Sequence, residues 1–193
     1  MKLLEVEGLS CRRGTAMLFR DLAFHVSAGE WVAVRGPNGS GKTTLLRCAA
    51  GLTRPDAGVV KRERALAYAG HAPGIKDDFS AEENLCSSLA LAGRPITAQA
   101  AREALAVVGL DKRRKLAARR LSAGQRRRIG LARLTLDPAR LWILDEPLTA
   151  LDDEGQALFE TVLASHLASG GAALLATHHD LASRPARVVG MGA

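Results

Sequence analysis

Nine consecutive residues, Gly36, Pro37, Asn38, Gly39, Ser40, Gly41, Lys42, Thr43 and Thr44, follow the pattern G-x-x-x-x-G-K-[ST]. Glycines let backbone amides close around phosphate oxygens, and a helix starting at the end of such a loop adds partial positive charge there. Lys42 is placed to reach the β- and γ-phosphates, and the Thr43 hydroxyl to hold Mg²⁺. At average residue frequencies a chain of this length matches the bare pattern by chance about once in a hundred. The sequence therefore predicts a nucleoside triphosphate site, not a glycine-rich turn. Far downstream, Asp145 and Glu146 follow the apolar run 141–144. Asp145 can hold Mg²⁺ through water, and Glu146 can take a proton from an attacking water. An Asp-Glu pair after a strand is as often a solvated turn; the phosphate loop favours the catalytic reading.

These groups need strands and helices to position them. The apolar run Trp31–Arg35 predicts a buried strand feeding the loop, and residues 45–50 a helix leaving it. Short strands are expected at 3–6, 22–26, 59–61 and Leu66–Ala69, with a Pro-Gly loop over 70–75. From Ser80 the pattern turns helical. Ser80 and Glu83 form a capping box, and a second helix is expected over 97–108, ending at Gly109. Residues 126–136 have helical spacing, and Asp137-Pro138 stops that helix. A helix over Asp153–Ala168 and a buried strand at Ala172–Ala176 complete the pattern, with Thr177, His178, His179 and Asp180 after it. Strands alternating with helices argue for an α/β fold built on a parallel sheet. The chain is expected to be one domain over residues 1–193, its nucleotide-binding core interrupted by a helical lobe at about 78–135.

With 193 residues the chain can bury a real core. No segment approaches 18 consecutive apolar residues and the N-terminus lacks a signal-peptide layout, so the chain is expected to meet a membrane only through partners. Cys11, Cys48 and Cys86 share no ligand or redox spacing and are read as reduced and packed. The net charge of +7 is concentrated at 112–115, 119–120 and 126–128 without interleaved aromatics. That absence weighs against base stacking and single-strand binding. It favours a solvated face near a membrane or an anionic ligand.

Residues 36–44, Leu121–Gln125 (Leu-Ser-Ala-Gly-Gln), 141–146, 149–152 and His178 stand in one order and spacing. Together they resemble the nucleotide-binding subunits of ABC transporters. The resemblance runs nearly end to end and implies a P-loop NTPase core with a mainly parallel sheet, a small N-terminal antiparallel part and the helical lobe. It implies ATP and Mg²⁺ as ligands, ATP hydrolysis, and a homodimer that sandwiches two ATP molecules head to tail. Ser122, Gly124 and Gln125 of one subunit would face the nucleotide held by the other, with Asp152 at the seam. His178 would touch the γ-phosphate and steady Glu146 and the water, while His179 has no family role. Ala123 replaces the family's usual glycine by one methyl group. For Arg126, Arg127 and Arg128 a nearby anion and plain solvation fit equally well.

Two further departures matter. Arg13 occupies the place of the usual adenine-stacking aromatic; a guanidinium can stack on a base, and a solvated surface arginine fits as well. His71 occupies the place of the glutamine that usually senses Mg²⁺ and contacts the membrane partner, so any role toward the metal would be indirect. Residues 71–76, the Leu-Ser-Ala-Gly-Gln form and 141–147 resemble the ATP-binding subunit of the haem-exporter complex for cytochrome c maturation. That likeness implies an integral membrane permease as partner and a peripheral place on the cytoplasmic face of the inner membrane. Neither direct haem binding nor nucleic-acid binding is expected. The alternatives are an ABC ATPase for another substrate and one acting on nucleic acid. DNA-organising members insert long coiled coils between loop and signature, whereas about 80 residues without sustained heptads intervene here. A plain P-loop kinase or GTPase leaves Leu-Ser-Ala-Gly-Gln unexplained.

Overall fold

A computed structural model describes residues 1–72 and 74–192; Pro73, in the expected Pro-Gly loop, lies outside the described residues. The chain begins with two antiparallel strands, β1 (Lys2–Arg13) and β2 (Ala16–Ser27). Both run well beyond the segments expected from sequence. Register shifts around Leu4, Leu9, Cys11 and Arg12 break the strict alternation of apolar and polar residues by which strands are read. Next come β3 (Trp31–Arg35), α1 (Lys42–Ala50), β4 (Ala57–Arg62) and β5 (Leu66–Ala69). β4 pairs with β1, giving a three-stranded antiparallel sheet in the order β2-β1-β4.

The second sheet is parallel. It adds β6 (Leu141–Asp145), β7 (Ala172–Ala176) and β8 (Arg187–Gly190), in the order β5-β6-β7-β3-β8. β6 and β7 are buried throughout and β3 up to Val34, as expected for strands covered on both faces. Val32, Val34, Ile143, Leu174 and Val189 share one apolar core with Leu45, Leu46 and Ala49 of α1. Truncating Leu45 or Leu46 to Ala would cost about 2–5 kcal/mol on this burial. Because the strands are parallel and in register, Val34 and Asp145 both lie opposite Ala176. The carboxyl ends of β3, β6 and β7 thus emerge side by side, the usual place for a ligand in such sheets. β8 was not expected from the sequence.

The chain divides into two compact units. One comprises Met1–His71, Ala139–Pro147 and Leu163–Ala193 and contains both sheets. The other comprises Ala72–Pro138 and Leu148–Val162. It therefore starts before residue 78 and takes in 148–162, which the sequence reading left with the core. It holds α2 (Ala81–Leu91), α3 (Ala98–Val107), α4 (Ala123–Leu136) and the first part of α5 (Asp153–Ala168). Ser80 and Glu83 form the capping box at α2, and Thr97 caps α3. α4 begins three residues earlier than its apolar spacing suggests, because Ser122 and Gln125 form a second capping box. Leu85, Leu89, Leu105 and Ile129 are fully buried where α2, α3 and α4 pack together.

Candidate functional site

The phosphate loop leaves β3 at Gly36, where a Cβ would stand 2.5 Å from the Met191 carbonyl oxygen and 2.8 Å from Ser40 Oγ. Only glycine fits there. Pro37, Asn38 and Gly39 are exposed, and the Ser40 amide donates to the Pro37 carbonyl at 3.3 Å. Ser40 Oγ is buried with no partner among the described residues. Gly41 is the N-cap of α1 and offers no side-chain cap, so the first amides of the helix keep their donors for another acceptor. Lys42 is 8% exposed, and its Nζ donates to the Gly36 and Pro37 carbonyls at 2.8 and 3.1 Å. A buried ammonium, an unpartnered hydroxyl and uncapped amides converging on one loop form a site for a polyanion. Sequence reasoning missed its support: Leu18 and Met191 pack against Gly41, and Gly192 lies against Pro37 and Ser40.

Thr43 and Asp145 meet directly, Oγ1 donating to Oδ2 at 2.8 Å. This pair of hard oxygens, one on the buried Asp145, fits a magnesium ion that keeps several waters. Thr44 is half-buried in the same helix turn. Tyr68 lies close enough for the Asp145 charge to matter; burial, and then that charge, push its phenol above the usual range and keep it neutral. Glu146 has φ 51°, a left-handed conformation unusual for a glutamate, and its amide donates to the Ala176 carbonyl at 2.9 Å. That bond turns its carboxylate, 14% exposed, toward His178, whose Nε2 stands 3.3 Å from Oε1. Thr177 is completely buried, and its hydroxyl accepts the amide of His179 at 3.0 Å. His178 and His179 are both exposed. The four predicted groups Lys42, Thr43, Asp145 and Glu146 thus share one compact unit with His178.

In the other unit, Ser122 Oγ accepts the Gln125 amide while Gln125 Oε1 accepts the Ser122 amide, both at 3.1 Å. The Gln125 side chain therefore holds the helix start. A Cβ on Gly124 would stand 2.7 Å from the carbonyl oxygen of Ala150, itself at φ 67°, so any side chain there would force the backbone to shift. Ala123 is exposed. Asp152 Oδ1 accepts from Arg128 Nη2 at 2.7 Å and from the Gly155 amide at 3.0 Å. The Arg128 hydrogen bond, foremost, holds its carboxyl below the usual range. Neither reading of the arginine run describes Arg128: it is buried and bridges Asp152 and Glu154, while Arg126 pairs with Asp77 at 2.9 Å. Asn84 escaped sequence reading too. It brackets the loop before α2, accepting the Lys76 amide and donating to the carbonyls of Lys76, Phe79 and Ser80.

Arg13 is exposed at the end of β1, where it pairs with Ala16 across the hairpin. His71 is exposed at the end of the first unit's opening segment. Arg35 and Asp180, which drew no attention as sequence, form an ion pair at 2.6 Å. They lie 145 residues apart, so no local pattern could signal them.

The family model described as "ABC transporter" matches residues 19–149. The chain is 49% identical to the cytochrome c biogenesis ATP-binding export protein CcmA of Methylococcus capsulatus, across 91% of this chain and 90% of that one. It is 43% identical to the protein of that name from Pseudomonas aeruginosa, across 99% and 100%. Among solved structures, an ATP-binding subunit of an ABC transporter superposes with a TM-score of 0.81 at 27% identity, covering 91% of this chain and 79% of that one. A dimeric ATP-binding cassette in a post-hydrolysis state with ADP and phosphate gives 0.86 over 97% and 94%; at 20% identity that likeness speaks to the fold alone. The matched family model and these relatives, taken with a phosphate loop, an Asp-Glu pair and a histidine gathered at the ends of parallel strands, show that the chain belongs to the ABC transporter family as one of its ATPases.

Proposed function

We propose that this protein is the ATP-hydrolysing subunit of an export complex serving cytochrome c biogenesis. The observation that carries the catalytic part is the Glu146 carboxylate, held by a strained backbone and facing His178 at 3.3 Å beside Thr43 and Asp145. The identity of 43–49% to proteins named for cytochrome c biogenesis supports the rest.

On this reading the Gly36–Thr44 stretch cradles the ATP phosphates, and Lys42 exchanges the Gly36 and Pro37 carbonyls for phosphate oxygens. When bound between Thr43 and Asp145, Mg²⁺ supplies charge neutralisation to the phosphates. Glu146 takes the proton of the attacking water, and His178 holds the carboxylate in register with it. Two copies pair head to tail, so that the helix start at Ser122 and Gly124 faces the γ-phosphate bound by the partner. Asp152 lies at that seam, Arg13 stacks on the adenine, and His71 acts on Mg²⁺ through water or on the loop facing the permease. No helix among the described residues is long and apolar enough to cross a membrane. The export-protein names of the relatives support a peripheral place on the cytoplasmic face of the inner membrane, with an integral permease as partner.

Deleting the gene and staining cell extracts for covalently bound haem tests the assignment. Mature c-type cytochromes should vanish, return with the wild-type gene, and stay absent with Lys42→Ala or Glu146→Gln. Unchanged c-type cytochromes in the deletion strain would refute the export assignment while leaving the ATPase chemistry standing.

A further inference from the structure

We infer that Arg35 and Asp180 form a positioning clasp for His178, tying the loop that carries the histidine to the strand that carries the phosphate loop. The inference rests on the ATPase reading above and concerns the same site.

Arg35 is the last residue of β3, next to Gly36, and its backbone carbonyl accepts the amide of Met191 at 2.7 Å. Its main chain is therefore fixed. Its guanidinium Nη2 reaches Asp180 Oδ1 at 2.6 Å. Asp180 lies two residues beyond His178 on the turn leaving β7. On the other side of His178, Thr177 is wholly buried and its hydroxyl accepts the His179 amide. The histidine is thus strung between two anchors, Thr177 within the core and Asp180 on Arg35. Between them its ring is half exposed yet stands against the Glu146 carboxylate. Without the second anchor, the turn could swing outward and carry the imidazole away.

The clasp is solvent-accessible: the side chains are 38% and 88% exposed. Pairs of this kind contribute modestly, and the expected effect is about two- to fivefold. Asp180→Asn suits the test because an exposed residue at a turn can lose its charge without threatening the fold. Purified protein is assayed for ATP turnover as a function of ATP and Mg²⁺. Asp180→Asn should lower kcat about two- to fivefold with KM unchanged, since the ammonium and amides that hold phosphate are untouched. Exchanging the charges, Arg35→Asp with Asp180→Arg, should recover turnover to within about twofold of wild type. In a His178→Ala background, Asp180→Asn should have no further effect, because the clasp acts only through that ring. Wild-type turnover in Asp180→Asn, a change confined to KM, or an equal loss in the His178→Ala background would each overturn the clasp. Absence of turnover in the wild-type protein would instead overturn the ATPase reading itself.

Discussion

Replacing Glu146 with glutamine isolates proton acceptance from everything else the residue does. Gln is isosteric, its Oε1 still accepts at the 3.3 Å contact with His178, and the backbone amide of residue 146 still donates to the Ala176 carbonyl. The left-handed backbone is unchanged in its demands, so the melting temperature should move by no more than about 2 °C. What is lost is the base, worth ~10²–10⁴ in rate, or about 3–5.5 kcal/mol of barrier. His178→Ala removes the group that touches this carboxylate, and the loss of one such donor costs ~10²–10³. If the two acted independently, the double variant would fall by the product, ~10⁴–10⁷. Contact at 3.3 Å argues that they act as a unit, so Glu146→Gln/His178→Ala should lie within about tenfold of Glu146→Gln alone. The assay is phosphate release at saturating ATP and Mg²⁺, with light scattering to follow the dimer that stalled hydrolysis should accumulate. Turnover of Glu146→Gln at the wild-type rate would remove Glu146 from the mechanism. A fully multiplicative double variant would refute the coupling.

Ser122→Arg should abolish turnover of the homodimer while sparing ATP binding; mixing it with Lys42→Ala chains should regain activity through one intact composite site, and full activity of Ser122→Arg alone would contradict a site shared between subunits. Gly124→Ala drives a methyl to 2.7 Å from the Ala150 carbonyl, an overpacking of about 1–3 kcal/mol; calorimetry should show melting lowered by at least about 2 °C. Burial, foremost, and then Cys11 push the Cys48 thiol up to about 12, so mass spectrometry after iodoacetamide at pH 8 should find Cys48 unmodified in native protein and modified once unfolded. Because the folded value lies above the unfolded one, the stability Cys48 contributes is full below about 9 and is lost as pH rises toward 12. His71→Ala should spare nucleotide affinity but weaken the permease's effect on hydrolysis, with His71→Gln retaining more; equal coupling of His71→Ala and wild type in the reconstituted complex would make the histidine structural.

The phosphate loop was legible because its chemistry is local: glycines at fixed offsets and a lysine opening a helix specify the turn without help from the rest of the chain. The same holds for the Ser80–Glu83 box and for the buried runs that became β3, β6 and β7. What escaped notice depends on distant partners. Residues 7–13 form strand through bulges that only the pairing with β2 and β4 stabilises, and bulges erase the alternation by which strands are recognised. Arg128 sits in a run of three arginines that looks uniform, yet helical geometry buries it beside Asp152 while Arg126 turns to Asp77. Nothing in the residues after 180 announces that Met191 and Gly192 support the loop, because that contact exists only once β8 lies beside β3.

The same logic explains how the Glu146–His178 contact, proposed above as catalytic, survives an unfavourable backbone. A left-handed glutamate costs about 1–2 kcal/mol relative to an ordinary conformation. Ala176 compensates at one point: it pairs with Val34 on one side and Asp145 on the other, and its carbonyl accepts the Glu146 amide. It also precedes Thr177, the inner anchor of the His178 turn. A single completely buried alanine on the middle strand thus sets the height of the phosphate loop, Asp145, Glu146 and His178 relative to one another. A small residue is needed where three chain segments leave the sheet together, and a buried one is needed if none of them is to move independently. Strain in Glu146 and burial of Ala176 go together: Glu146 and His178 are held by the sheet and not by their own loops alone.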